Sequence, residues 1–268
     1  MLRKLLAIFL KGLLTATSYR LAFVSQFFLP LFIVVSFFFL SRLLGNAPLP
    51  GLHQYGGEYF PFVLIGILFT TYSSVFFATV VSTIRRGQNM GTLEMVLTTR
   101  TSLPTYLAGS AIYALLQASI VVVIFIGLGI LAFGVRFPDA NVLVGALALA
   151  LSMFTMIALG IIAGSFVLIY KQGDPLSLLV NSGAFLLSGV VYPVSVLPGW
   201  LQVGSGFLPH TYALEALRMA LLQGASLAQV SSQIGALALF AVGALSASYL
   251  FFTYAVRRAR LEGSLAQY

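Results

Sequence analysis

Apolar residues run along this chain in long blocks, with the charged residues between them. Six stretches carry no Asp, Glu, Lys or Arg: 21–41, 59–84, 101–135, 140–170, 175–214 and 219–256. An α-helix rises about 1.5 Å per residue, so roughly 20 apolar residues cover the ~30 Å hydrocarbon core of a bilayer. Even the shortest stretch, at 21 residues, meets that length. The pattern predicts an all-α membrane protein with six transmembrane helices inside residues 21–256.

The fifth stretch is 40 residues long and has room for two spans, but only 176–192 reads as one. Pro193, Pro198, Gly199, Gly204, Gly206 and Pro209 follow within 17 residues. Proline removes a backbone donor and breaks helices, so 193–218 is expected to form re-entrant helices on the outer face rather than a seventh span. Ahead of the first span, residues 1–20 place Leu2, Leu5, Leu6, Phe9 and Leu13 on one helical face and Lys4, Lys11 and Ser18 on another. That is the pattern of an amphipathic helix lying in the cytoplasmic interface. Arg3 and Lys4 before LLAIFL also suit a signal peptide, but Lys11 interrupts the apolar run and no small-residue cleavage site follows, so retention is expected. Residues 257–268 form a short cytoplasmic tail.

Composition agrees with this reading. Hydrophobic residues make up 60% of the chain and charged ones 7%, against about a quarter charged in a soluble domain. With residue 1 in the cytoplasm and six spans, Arg3, Lys4, Lys11, Arg20, Arg85, Arg86, Arg100, Lys171, Arg257, Arg258 and Arg260 fall inside, and Arg42, Arg136 and Arg218 outside. This eleven-to-three bias obeys the positive-inside rule with both termini cytoplasmic. The net charge of +8 therefore reports topology and attraction to anionic lipid head groups, not nucleic-acid binding. No cysteine is present, which rules out disulfides and thiolate metal sites.

Ionisable groups within a span are costly and mark proton relays and ion pathways. Here Glu58, Glu94, Asp139, Asp174, Glu215 and Glu262 all lie at span edges or in connections. Proton coupling lacks its usual carboxylates, while Na⁺ coupling through backbone carbonyls stays open, so a secondary carrier is the alternative. His53 and His210 have no second ligand at metal spacing and read as interfacial or loop histidines. Ser205 lies near His210, but no G-x-S-x-G elbow supports catalysis. A G-x-x-x-x-G-K-[ST] loop is also missing, so any ATP-driven work needs a nucleotide site on another chain. Gly160 and Gly164 form a G-x-x-x-G that suits close packing inside one bundle, and the phenylalanines of the first span read as lipid-facing or packing surface.

Two segments carry more. In 85–104, the longest cytoplasmic connection, Thr92 can cap a short helix, Glu94 falls in its first turn, and Leu93, Val96 and Leu97 make one apolar side. Gly91, Thr92, Leu93, Glu94, Met95, Val96 and Leu97 resemble the G-T-L-E-x-L-L segment of ABC-2 type transporter membrane subunits. Farther on, Ser188, Gly189, Pro193, Leu197, Pro198, Trp200, Leu201, Pro209, Thr211, Tyr212, Glu215, Ala216 and Arg218 resemble that family's S-G, proline, L-P-x-W-L and P-x-T-Y-x-x-E-A-x-R series.

The resemblance implies an export permease of the bacterial inner membrane. Two such subunits, expected to be a homodimer, enclose a path driven by two cytoplasmic ABC ATPase subunits. ATP and Mg²⁺ are then held by those partners, with no cofactor, metal or catalytic residue in this chain. Gly91, Thr92, Leu93, Glu94, Val96 and Leu97 would couple to the ATPase; Pro193, Pro198, Trp200, Pro209, Tyr212, Glu215 and Arg218 would form the outer gate. Glu215 and Arg218, three apart, are expected to pair along an exposed helix face. The implied cargo is lipophilic or amphipathic, a drug, a lipid or a lipid-linked glycan.

Overall fold

A backbone surrounded by hydrocarbon must satisfy its N–H and C=O groups within its own segment, which favours helices wherever the chain is continuously apolar. The computed structural model describes residues 9, 10, 14, 18, 20–45, 51–89, 103–170 and 175–261 and contains helices and turns, with no strand among the described residues. In chain order α1 spans Arg20–Leu44, α2 Tyr59–Asn89, α3 Leu103–Leu131 and α4 Val142–Tyr170. Three short helices follow: α5 at Pro175–Leu187, α6 at Gly199–Gly206 and α7 at Pro209–Gln223. The last helix, α8, covers Ser231–Leu261.

Among the described residues, α1, α2, α3, α4 and α8 are long and apolar enough to cross a bilayer. The span expected at 176–192 is shorter than its uncharged sequence suggests. Helix α5 has 13 residues, a rise of ~20 Å, and it stops at Leu187. Gly189 turns the chain there with φ +75°, a conformation that glycine adopts without steric cost. Beyond it the chain makes a 3₁₀ turn at Val194–Val196 before α6 and α7.

Helix α2 is the centre of the bundle. Two thirds of its apolar window (67%) is buried inside the protein, whereas that of α1 is 6% buried, so α2 is packed on most sides and α1 is peripheral. Phe62, Val63, Leu64, Phe76 and Val80 are fully enclosed. In lipid, helices associate by close van der Waals packing rather than by hiding apolar surface from water. Gly160 and Gly164 of α4 show the device: a Cβ on Gly160 would lie 3.0 Å from the Phe77 carbonyl oxygen, and one on Gly164 2.3 Å from Ile84 Cδ1. The pair seats α4 against α2 within one chain, as the sequence suggested.

Clusters of buried side chains fix which ends lie together. Ile84, Leu107, Leu168, Ala255 and Ala259 meet at one end, next to the exposed Arg85, Arg86, Arg257 and Arg258; Gln88 Nε2 donates to the Leu168 carbonyl there at 3.3 Å. At the other end, Val144, Ala220, Ala225 and Val230 cluster, and Ile65 and Phe69 meet Val190, Ala213 and Leu217. The chain thus passes from the basic end at Leu168 to the opposite end at Val190, with α5 between. Phenylalanines of α1 divide between two roles: Phe28, Phe32 and Phe39 point outward, while Phe38 packs edge-on against Phe60.

Candidate functional site

At the end away from Arg85 and Arg86, residues 188–223 form a roof over the tops of α2, α4 and α5. Its framework is side chain to backbone, which suits a segment too rich in proline and glycine to complete its own ladders. Ser205 Oγ donates to the Leu187 carbonyl at 2.5 Å and to that of Leu201 at 3.0 Å, fixing α6 to the end of α5. Thr211 Oγ1 donates to the Ser205 carbonyl at 2.8 Å, and Tyr212 Oη to that of Gly206 at 3.0 Å, fixing α7 to α6. Gln202 Nε2 closes the preceding turn on the Leu197 carbonyl at 2.7 Å. Tyr192 Oη donates to the Leu186 carbonyl, and Tyr59 Oη reaches from α2 to the Val191 carbonyl at 3.1 Å.

The prolines set the corners. Pro193 is buried and precedes the 3₁₀ turn in extended geometry; Pro198 is exposed and precedes α6. Pro209 is buried at the first turn of α7, where its missing N–H is one that a helix leaves unpaired anyway. Tyr212 is half-buried, with its ring 5.8 Å from that of Phe240 in α8. Trp200 stands apart. It is 75% exposed, in line on α6 with Val203 and Phe207, so this helix turns an apolar stripe outward.

Arg218 departs most from expectation. It is 3% exposed, and its guanidinium is spent on three carbonyls rather than on Glu215. Nε and Nη2 both donate to Phe62 O, at 3.2 and 3.1 Å; Nη1 donates to Gly189 O at 2.7 Å and Nη2 to Val190 O at 2.8 Å. The cation also lies 3.4 Å from the Phe62 ring centroid. Hydrogen bonds to a charged group contribute about 1.5–3 kcal/mol each, several times a surface ion pair. Burial lowers its pKa from 12.5 to about 9, still above neutrality, so the charge is kept. The expected exposed Glu215–Arg218 pair is thereby replaced by a buried clamp, with Glu215 half-buried one turn earlier.

Gly66 makes this approach possible. A Cβ there would sit 2.1 Å from the Val190 carbonyl oxygen and 2.9 Å from Arg218 Nη2. His210 also differs from the interfacial or loop residue expected. It is buried in the first turn of α7, edge-on to Phe69 at 5.6 Å, and burial pushes its pKa down to about 4, leaving a neutral imidazole. Ser205 Oγ bonds carbonyls, not His210. His53 is exposed. Gly91, Thr92, Leu93, Glu94, Val96 and Leu97 lie outside the described residues, as does most of 1–20.

Sequence reasoning missed Gly66 and Asn141. Asn141 Nδ2 donates to Ala225 O at 3.2 Å while its backbone N–H donates to Ala220 O at 2.8 Å, tying the start of α4 to the end of α7. An asparagine before an apolar run signals a helix cap, whereas nothing in the run around Gly66 distinguishes it from packing glycines. Within the bundle, an apolar crevice lined by Leu64, Phe69, Tyr72, Leu149, Leu217 and Leu221 holds ≈ 50 Å³, well below the ~300 Å³ of a small-molecule site.

Comparison with known proteins adds to this geometry. The family model described as ABC-2 type transporter matches residues 3–222. Nodulation protein J of Rhizobium meliloti (strain 1021) is 28% identical over 219 residues, covering 76% of this chain and 82% of that protein. Nodulation protein J of Rhizobium leguminosarum bv. viciae is 26% identical over 219 residues, 76% of this chain and 83% of its own length. A third relative, the probable multidrug ABC transporter permease YbhR of Escherichia coli (strain K12), is 28% identical over 195 residues, 70% of this chain and 48% of that protein.

Proposed function

The chain belongs to the ABC-2 type transporter family, the membrane components of ABC transporters, and on that premise we propose that it is the permease subunit of an ATP-driven exporter. Residues 188–223 are its outer gate. The observation that carries this reading is the roof itself: three carbonyl-pinned pieces close the end of the bundle opposite Arg85, Arg86, Arg257 and Arg258. By the positive-inside rule those arginines mark the cytoplasmic face and the roof the outer one.

Six crossings fit the same geometry. A chain that leaves Leu168 at the basic end and reaches Val190 at the other is read as crossing once more between them, with α5 in that crossing. Both termini then lie in the cytoplasm, in the inner membrane of a bacterium. The apolar stripe of Trp200, Val203 and Phe207 suits a gate helix lying in the outer interface, where amphipathic rings are favoured. Cargo is read as passing between two permease subunits, a dimer, in keeping with the family. The cargo is lipophilic or amphipathic, in keeping with a relative named as a probable multidrug permease. A secondary carrier is not favoured: among the described residues no Asp or Glu is buried.

ATP and Mg²⁺ belong to two cytoplasmic ATPase subunits, which meet the segment around Glu94. Purification from native membranes should bring down an ABC ATPase with this chain. Glu94→Ala or Leu93→Asp should lower that association, or separate hydrolysis from transport at least tenfold, while the permease stays folded. Normal association and normal coupling in both variants would remove the coupling assignment.

A further inference from the structure

We propose that Arg218 is the latch that holds the outer gate shut at rest, an inference that rests on reading residues 188–223 as that gate. The guanidinium sits in α7 but bonds two other pieces of the protein: the central helix through Phe62 O, and the turn after α5 through Gly189 O and Val190 O. Lifting the roof from α2 must break both bonds to Phe62 O at once, while the bonds to Gly189 O and Val190 O hold α7 to the turn after α5, because one rigid planar fork donates to all three acceptors.

Among the described residues no carboxylate pairs with the charge, and Glu215, one turn earlier on α7, is not among its bonded partners. Its counterparts are carbonyl dipoles and the Phe62 and Tyr55 rings, at 3.4 and 5.9 Å, and of these the Phe62 carbonyl and ring on α2 are lost when the roof lifts. Gly66 lets the turn come down to this point, and Tyr59 adds one neutral bond from α2 to Val191. Ser188, the residue before Gly189, is 1% exposed and its Oγ has no hydrogen-bond partner among the described residues. This hydroxyl contributes no bond to the closed state, and replacing it leaves the latch intact.

Ser188 also supplies the probe. This chain has no cysteine of its own, so Ser188→Cys is a near-isosteric reporter of access to the buried start of the roof. In cells or right-side-out vesicles holding the full transporter without ATP turnover, a membrane-impermeant maleimide should label it slowly. Arg218→Met should raise the labelling rate at least tenfold, and Arg218→Lys, which keeps the charge but not the fork, should give an intermediate rate. Gly66→Ala tests the same contact with Arg218 untouched, and it serves where Arg218→Met fails to fold; it should also speed labelling. Ser152→Cys, buried in α4, is the control for general loosening and should stay unlabelled throughout.

Equal rates at Ser188→Cys with and without Arg218, or a parallel rise at Ser152→Cys, would overturn the latch while leaving the outer gate standing. Labelling of Ser188→Cys only from the cytoplasmic face, in inverted vesicles, would instead overturn the gate reading on which it depends.

Discussion

Gly160 and Arg218 show how single atoms decide this structure. A side chain at Gly160 meets the Phe77 backbone oxygen and the branched Val80 Cβ, both at 3.0 Å, neither of which can yield. At Gly164 the obstacle is Ile84 Cδ1, the free end of a flexible side chain. Gly160→Leu should therefore destabilise the detergent-solubilised protein by about 1–3 kcal/mol, the usual cost of overpacking, and Gly164→Ala by less. Thermal unfolding of the two variants checks the order; a larger loss at Gly164→Ala would show that α4 is seated otherwise. This glycine pair was legible in the sequence, since small residues four apart on an apolar helix have few other uses. Arg218 and His210 were not. Whether a polar residue in a proline-broken segment is exposed depends on what folds over it, and the three-residue spacing from Glu215 to Arg218 pointed to a surface pair while the guanidinium turns to Phe62, Gly189 and Val190.

At the scale of elements, the long helices follow from uncharged length alone, and the roof from its prolines. Helix α5 is the exception: 175–214 carries no charge, yet Gly189 stops the helix early and hands the chain to the roof. Continuous apolar character sets where a helix is tolerated, but a left-handed glycine sets where it ends. Helix α6 adds a feature that periodicity could have revealed. Trp200, Val203 and Phe207 recur at three- and four-residue intervals and all face outward. If that stripe lies in the outer interface, Trp200, the chain's single tryptophan, should be quenched by lipids brominated near the head group more than by lipids brominated deep in the acyl chain. Stronger quenching from the bilayer centre would place α6 within the hydrocarbon and end the interfacial reading. The proposed coupling role of 91–97 stands on their sequence pattern alone.

The whole molecule joins these parts through α2, which runs unbroken from the roof contact at Phe62 to Gln88 beside the connection that carries Glu94. On the proposed reading, this one helix would link the ATPase-facing segment to the outer gate. Charge asymmetry and the two family-like segments make the family readable from the amino-acid sequence alone. The Arg218 clamp required the fold, because its acceptors are backbone carbonyls that no sequence pattern marks. On the proposed reading this chain moves an amphipathic molecule only when a separate ABC ATPase hydrolyses ATP, and reconstitution tests that dependence most directly. Proteoliposomes containing the permease with its co-purifying ATPase, loaded with a fluorescent amphipathic cation, should show ATP-dependent transport that disappears when the ATPase is omitted. Transport by the permease alone, driven by a proton or sodium gradient and indifferent to ATP, would contradict it.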